Sequence, residues 1–212
     1  MPSVGRSTLA AVTPVGTTVA VHHGSLARAA CVIGAPLTFA AAWWLLASAP
    51  EGGPTATWRI AHVLFLFGLA LMLGAASFFY VLAREAGARF AGAALAMVIA
   101  GAIGLGGNFT LDLAAAQIAQ SSADMDRFFS TMTGDPLIRA LFYTALPYLF
   151  YAGLLVQVAL VRGHRGIARW APVPVAIGIV LLGVERGVGI PALAVIAHAA
   201  LVPGFAAVAR YA

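Results

Sequence analysis

Long apolar runs alternate with short polar segments along almost the whole chain. Six of them, at approximately 29–49, 58–83, 90–113, 137–161, 170–184 and 188–209, come close to or exceed the roughly 20 residues a helix needs to cross a hydrocarbon layer about 30 Å thick. Within such a run only a helix bonds every backbone polar group internally. The pattern therefore predicts an all-α polytopic membrane bundle of six transmembrane helices. The fifth and sixth runs share the stretch from Trp170 to Ala209 and meet in a tight turn at Glu185-Arg186-Gly187, so one of them is short, tilted or broken.

Residues 1–28 show no sustained period and read as a mobile cytoplasmic tail rather than a cleaved leader, leaving 29–212 as the transmembrane domain. The adjacent His22 and His23 lack a third ligand and read as solvated tail. Between the third and fourth runs, residues 117–136 form the one sizeable loop. In it Met125, Phe128, Phe129 and Met132 recur at three- and four-residue spacing among Asp124, Asp126 and Arg127, which predicts a short amphipathic helix resting on the bundle. The acids Asp124, Asp126 and Asp135 read as hydrated surface groups and not as a metal site.

Charge then orients the bundle. Hydrophobic residues make up 62% of the chain and charged residues 9%, too few to coat a water-facing globule. Placing the N-terminus in the cytoplasm puts Arg6, Arg28, Arg84, Arg89, Arg162, Arg165, Arg169 and Arg210 there, with one acid, Glu85. The opposite face receives Arg59, Arg127, Arg139 and Arg186 with Glu51, Asp124, Asp126, Asp135 and Glu185. Cytoplasmic loops collect basic residues, so both termini are expected inside a cell membrane crossed several times. Trp58, Phe90 and Trp170 beside Arg59, Arg89 and Arg169 are expected as interface anchors. Because the arginines are dispersed over loops, the high pI is a topology signal and nucleic acid is not an expected partner. The lipid bilayer is.

Composition excludes several chemistries. With Cys31 as the only cysteine, no intrachain disulfide or cysteine-rich metal site can form. All twelve basic residues are arginine, which removes every mechanism needing a lysine Schiff base. No phosphate-binding loop, dinucleotide fingerprint, zinc-protease or serine-hydrolase motif is present.

Polar side chains within the spans are the default site candidates, since they are costly in lipid and turn toward the bundle interior. Arg59 and His62 share a helical face at the start of the second span. Asn108 and Asp112 do so at the end of the third, where Ala96, Ala100 and Gly104 form a smooth ridge leading to them. At about 1.5 Å per residue Asp112 lies roughly 33 Å from Phe90, at the outer edge of the apolar core, where pairing with Arg59 or Arg139 is the plainest expectation. Glu185 and Arg186 end the fifth span and Tyr143 begins the fourth, so one polar cluster near the outer leaflet is predicted. In the fourth span Pro147 bends the helix, and Tyr148, Tyr151 and Gln157 follow as packing or cavity-lining residues.

His198, between two alanines near the bilayer midplane, is expected to be neutral and satisfied by a serine, a tyrosine or a backbone carbonyl. It is also the only deep proton-relay station. No cofactor is expected; the one alternative is a haem b held by His62 and His198, which would require a tilted or shortened sixth helix.

These features predict, first, binding or transport of a small solute or proton at the outer cluster. The alternatives are an integral-membrane enzyme acting on a lipophilic substrate with Asp112 or Glu185 as general acid, and an accessory subunit whose polar groups only hold helices together. A homo-oligomer or a larger membrane complex is compatible with each.

Overall fold

A computed structural model describes residues 17–48 and 53–211, without the side chains of 17–25. The histidine pair at 22–23, Arg6 and Glu51 therefore lie outside the side chains described. The described residues are mostly helical and contain no strand.

Seven helices follow in order: α1 Thr17–Ser48, α2 Ala56–Glu85, α3 Ala91–Ile118, α4 Ser122–Gly134, α5 Pro136–Val161, α6 Pro172–Val188 and α7 Pro191–Ala209. Five are long and apolar enough to cross a membrane: α1 from Leu26, α2, α3, α5 and α7. α6 has 17 residues, about 26 Å at 1.5 Å per residue, just under the usual span. α1 lies along α2 and α7, α3 along α5, and α6 along α7. The core between them is aromatic: Phe39, Phe65, Phe79, Phe150 and Phe205 are all 1% exposed or less. Ile60, Val63, Phe67, Ile103, Val180 and Ile196 point outward, as a surface solvated by acyl chains requires.

Local chemistry sets the helix ends. The Thr55 hydroxyl oxygen accepts from the Trp58 N–H and starts α2, and Gly87, in the left-handed region at φ 72°, ends its turn. Asp135 caps α5 by accepting from the N–H groups of Leu137 and Ile138. α6 continues through Glu185, Arg186 and Gly187 and stops at Gly189, whose φ is 67°, with Pro191 opening α7. The turn expected at 185–187 thus falls at Gly189–Ile190. Gly189 takes the left-handed conformation without steric cost and Pro191 has no N–H with which to continue the helix.

The amphipathic segment is α4, with Met125 buried and Phe129 against Trp58. At its first turn Asp124 accepts from Arg127, the Ser121 hydroxyl and the Gln120 N–H, which hold its carboxyl below the ordinary aspartate range. A lowered folded-state value means that the cap is present at neutral pH and is lost as the pH falls through that value. The Gln120 amide proton should therefore shift by NMR only in solutions more acidic than about pH 4, where free aspartate titrates. A midpoint at the free value would show the cap unformed.

Of the expected interface anchors, Phe90 and Trp170 are exposed at 69% and 53%, whereas Trp58 turns into the protein. The expected ridge on α3 also differs. Ala96 is exposed, and the buried stripe is Ala94, Val98, Gly101 and Gly104.

Candidate functional site

The polar residues gather at one end of the bundle, where α2, α5 and α7 begin and α3 and α6 finish. Asp112, in the last turns of α3, is their hub. Its Oδ2 lies 3.1 Å from His62 Nε2, and its Oδ1 accepts from the Tyr143 hydroxyl at 3.2 Å. The Trp58 indole N–H donates to the Asp112 carbonyl oxygen at 3.2 Å. Trp58 also stacks on the His62 ring at 4.5 Å between centroids. His62 is 2% exposed and the Asp112 side chain 13%.

His62 Nδ1 is 2.8 Å from the Trp58 carbonyl, which only accepts, so Nδ1 carries a hydrogen. A second proton, placed on the ring or on the carboxyl, would complete the Nε2···Oδ2 contact as a hydrogen bond.

Tyr143 reaches Asp112 because of the backbone ahead of it. Arg139–Thr144 form a π-helical turn, closed by the Ala145 N–H on the Ala140 carbonyl and by the Thr144 hydroxyl on the Arg139 carbonyl at 2.7 Å. Pro147 explains the turn. Its ring would strike the Tyr143 carbonyl in a regular α-helix, and one inserted residue relieves that contact.

Two cavities flank Asp112. One, of about 370 Å³, lies between α3, α5 and α6 and brings Asn108, Asp112, Tyr143, Tyr151, Glu185 and Arg186 onto one surface with Phe39 and Trp43. The other, of about 290 Å³, lies toward α1 and α2 and is lined by Trp43, Trp58, His62, Phe65, Asn108, Phe109 and Asp112. Trp43, Asn108, Phe109 and Asp112 form the partition common to both.

Six of the eight residues singled out in the sequence thus meet around these cavities: His62, Asn108, Asp112, Tyr143, Glu185 and Arg186. Arg59 does not pair with Asp112. Its guanidinium donates to the Ala116 carbonyl at 2.8 Å and caps the end of α3. Nor does Arg139 pair with Asp112; it is exposed in the π-turn. His198 is separate and fully buried. Its Nδ1 donates to the Ala194 carbonyl at 2.8 Å, its Nε2 accepts from the Tyr151 hydroxyl at 3.0 Å, and its ring stacks on Phe39. This is the neutral, satisfied histidine expected there, with a tyrosine and a carbonyl both serving.

A shared haem does not fit these residues. Both nitrogens of His62 and both of His198 are engaged, and Phe39, Phe65 and Phe109 fill the space between the two rings, in contact with each other and with one histidine or the other.

Sequence reasoning misses Trp58 and Trp43 as site residues. Trp58 sits four residues before His62, the spacing that places its carbonyl under the ring, and that offset is a readable signal. Trp43 has none beyond its place in a span. No protein-family model matches the chain, and no curated protein or solved structure matches it, so the site's chemistry alone carries the functional reading.

Proposed function

We propose that this chain is a six-span protein of the cell membrane, both termini cytoplasmic, that binds a small amphiphilic solute in the cavities beside Asp112, on the outer side. The observation that carries the binding reading is a carboxyl in the partition between two largely apolar cavities, held by a histidine and a tyrosine. A carboxylate has about four acceptor positions. His62 and Tyr143 use two, so Asp112 has acceptor capacity left for a ligand in either chamber.

The sixth crossing is argued from α6. A Cβ on Gly178 would fall 2.6 Å from the Ala197 carbonyl, and Gly204, near the end of α7, meets the Ala171 carbonyl at the start of α6. The two helices are therefore in close backbone contact between 171–178 and 197–204 and are joined directly at Gly189–Ile190, so if α7 crosses, α6 crosses with it. An even count keeps Arg210 with the arginines of the 84–89 and 162–169 loops, as the charge bias demands.

Binding is favoured over open passage. Beyond His198 and Tyr151, Phe79, Phe150, Leu154, Leu201 and Phe205 are 1% exposed or less and close the interior. The geometry also disfavours His62 as a catalytic base, since both of its nitrogens are already bonded.

The test is the protein purified in native lipid and examined by mass spectrometry for a copurified small molecule. Asp112→Asn should weaken its retention by about 10–100-fold, the worth of a hydrogen bond to a charged group. Leu182→Trp, which fills the larger cavity, should expel a solute seated there and spare one seated in the smaller cavity. Equal retention by both variants and the parent would overturn the reading.

A further inference from the structure

We infer that the smaller cavity is a site for an organic monocation, which enters in exchange for the proton shared by His62 and Asp112. This rests on the reading of Asp112 as a binding residue and adds the class of ligand and the coupling.

The wall of that cavity carries the argument. Trp43, Trp58, Phe65 and Phe109 present aromatic rings, Leu46 and Pro191 are aliphatic, and Thr55, His62 and Asn108 add uncharged or exchangeable polar groups. Among the described residues Asp112 is its single carboxyl, and no arginine lines it. Aromatic faces with one carboxylate attract a weakly hydrated ammonium group more than an anion or a neutral polar molecule. The larger cavity differs, because Arg186 accompanies Glu185 there.

The neighbouring charges leave Asp112 to act as the counter-charge. On α2, Arg59 is turned to the Ala116 carbonyl; on α5, Tyr143 donates to Asp112. Glu185 and Arg186 of α6 face it across the larger cavity, and Asp124 and Arg127 of α4 pair with each other. From α1 the cavity receives Trp43 and Leu46, while Arg28 lies over Phe78; α7 brings Pro191, and His198 sits behind Phe39.

The exchange balances. At rest His62 and Asp112 together are neutral and hold one proton between Nε2 and Oδ2. When a cation settles on the carboxylate, that proton leaves to the solvent and Asp112 turns toward the new charge. His62 stays neutral, with its Nδ1 hydrogen on the Trp58 carbonyl. One positive charge enters, one leaves, and no uncompensated charge is left in a low-dielectric site.

Benzyltrimethylammonium is a suitable probe because it has no ionisable proton of its own, and neopentylbenzene is its neutral counterpart of the same shape. Added to the purified protein in weakly buffered nanodiscs, the cation should bind saturably and release about one proton per site. Its affinity should fall about tenfold per unit of acidification in the range where the pair holds its proton, as one-for-one linkage requires. Trp43→Leu, which keeps the carboxyl, should weaken the cation about fivefold and leave the neutral probe little changed. Binding of the neutral probe with no proton release and no preference for the cation would overturn the inference while leaving the cavity reading in place. Cation binding without proton release, or binding of neither probe, would also overturn it; retention of a copurified solute then decides the cavity reading separately.

Discussion

Gly101→Leu should fail to assemble α3 against α5, and Gly101→Ala alone should lower the unfolding free energy by about 2–3 kcal/mol. A Cβ on Gly101 would land on the backbone nitrogen and Cα of Phe150, which cannot swing aside as the end of a side chain can. The same interface is tight from the other side, where a Cβ on Gly153 would lie 2.9 Å from both the Ala94 carbonyl oxygen and the Val98 nitrogen. Gly104 continues it at 2.8 Å from the Leu141 carbonyl. Close approach of these backbones is what dispersion and packing reward between helices in lipid. It also brings Asp112 on α3 within reach of Tyr143 on α5, so the variant should lose that hydrogen bond and bound ligand together. Gly92, where an added methyl would meet nothing within 4 Å, is the control: Gly92→Ala should gain about 0.5–1 kcal/mol from helix propensity. Detergent-titrated or thermal unfolding of the two alanine variants measures the contrast, and equal effects would mean the two helices do not meet as described.

The sequence shows the helices and the end at which polar groups gather, because burial in lipid makes every charge a marker of depth. Six of eight candidate residues meet at the cavities for that reason. What it hides is direction within a helix face. Arg59 and His62 share one face, yet Arg59 reaches outward to a carbonyl at the end of α3 while His62 points inward to Asp112. Length decides this: a long guanidinium spans to the rim, and an imidazole cannot. The ridge on α3 departs from its expected line because Ala96, Ala100 and Gly104 repeat every four residues, whereas a helix turns every 3.6. Over two turns the buried stripe drifts to Ala94, Val98, Gly101 and Gly104.

Trp58 and the π-turn show why the site's geometry lay beyond reach. A tryptophan next to an arginine at a span end fits the pattern of an interface anchor; the four-residue step to His62 signals the use of its carbonyl, but only the tertiary contact with the α3 carbonyl reveals the use of its indole N–H. Pro147 signals a bend in α5, but whether the helix kinks or widens depends on what surrounds it. Here the inserted residue rotates the Arg139–Thr144 turn so that Tyr143 faces Asp112.

His198→Ala should cost about 3–5 kcal/mol, because it removes a buried ring stacked on Phe39 and leaves the Tyr151 hydroxyl without its partner. Tyr151→Phe should cost about 1–3 kcal/mol for the converse reason, a buried imidazole nitrogen with no donor. The double variant Tyr151→Phe with His198→Leu separates an anchor from a relay. Removing both partners and filling the space apolar can be nearly neutral, whereas removing one leaves a desolvated polar group. The double variant should therefore be more stable than the sum of the two single losses predicts, in the same unfolding assay. It should also exchange a proton for benzyltrimethylammonium as the parent does, since Tyr151 lines the larger cavity and not the smaller, and Phe39, Phe65 and Phe109 stand between His198 and the smaller one. A stable double variant that no longer exchanges the proton would make His198 a station on the proton's path, and the coupling would then extend to the middle of the membrane.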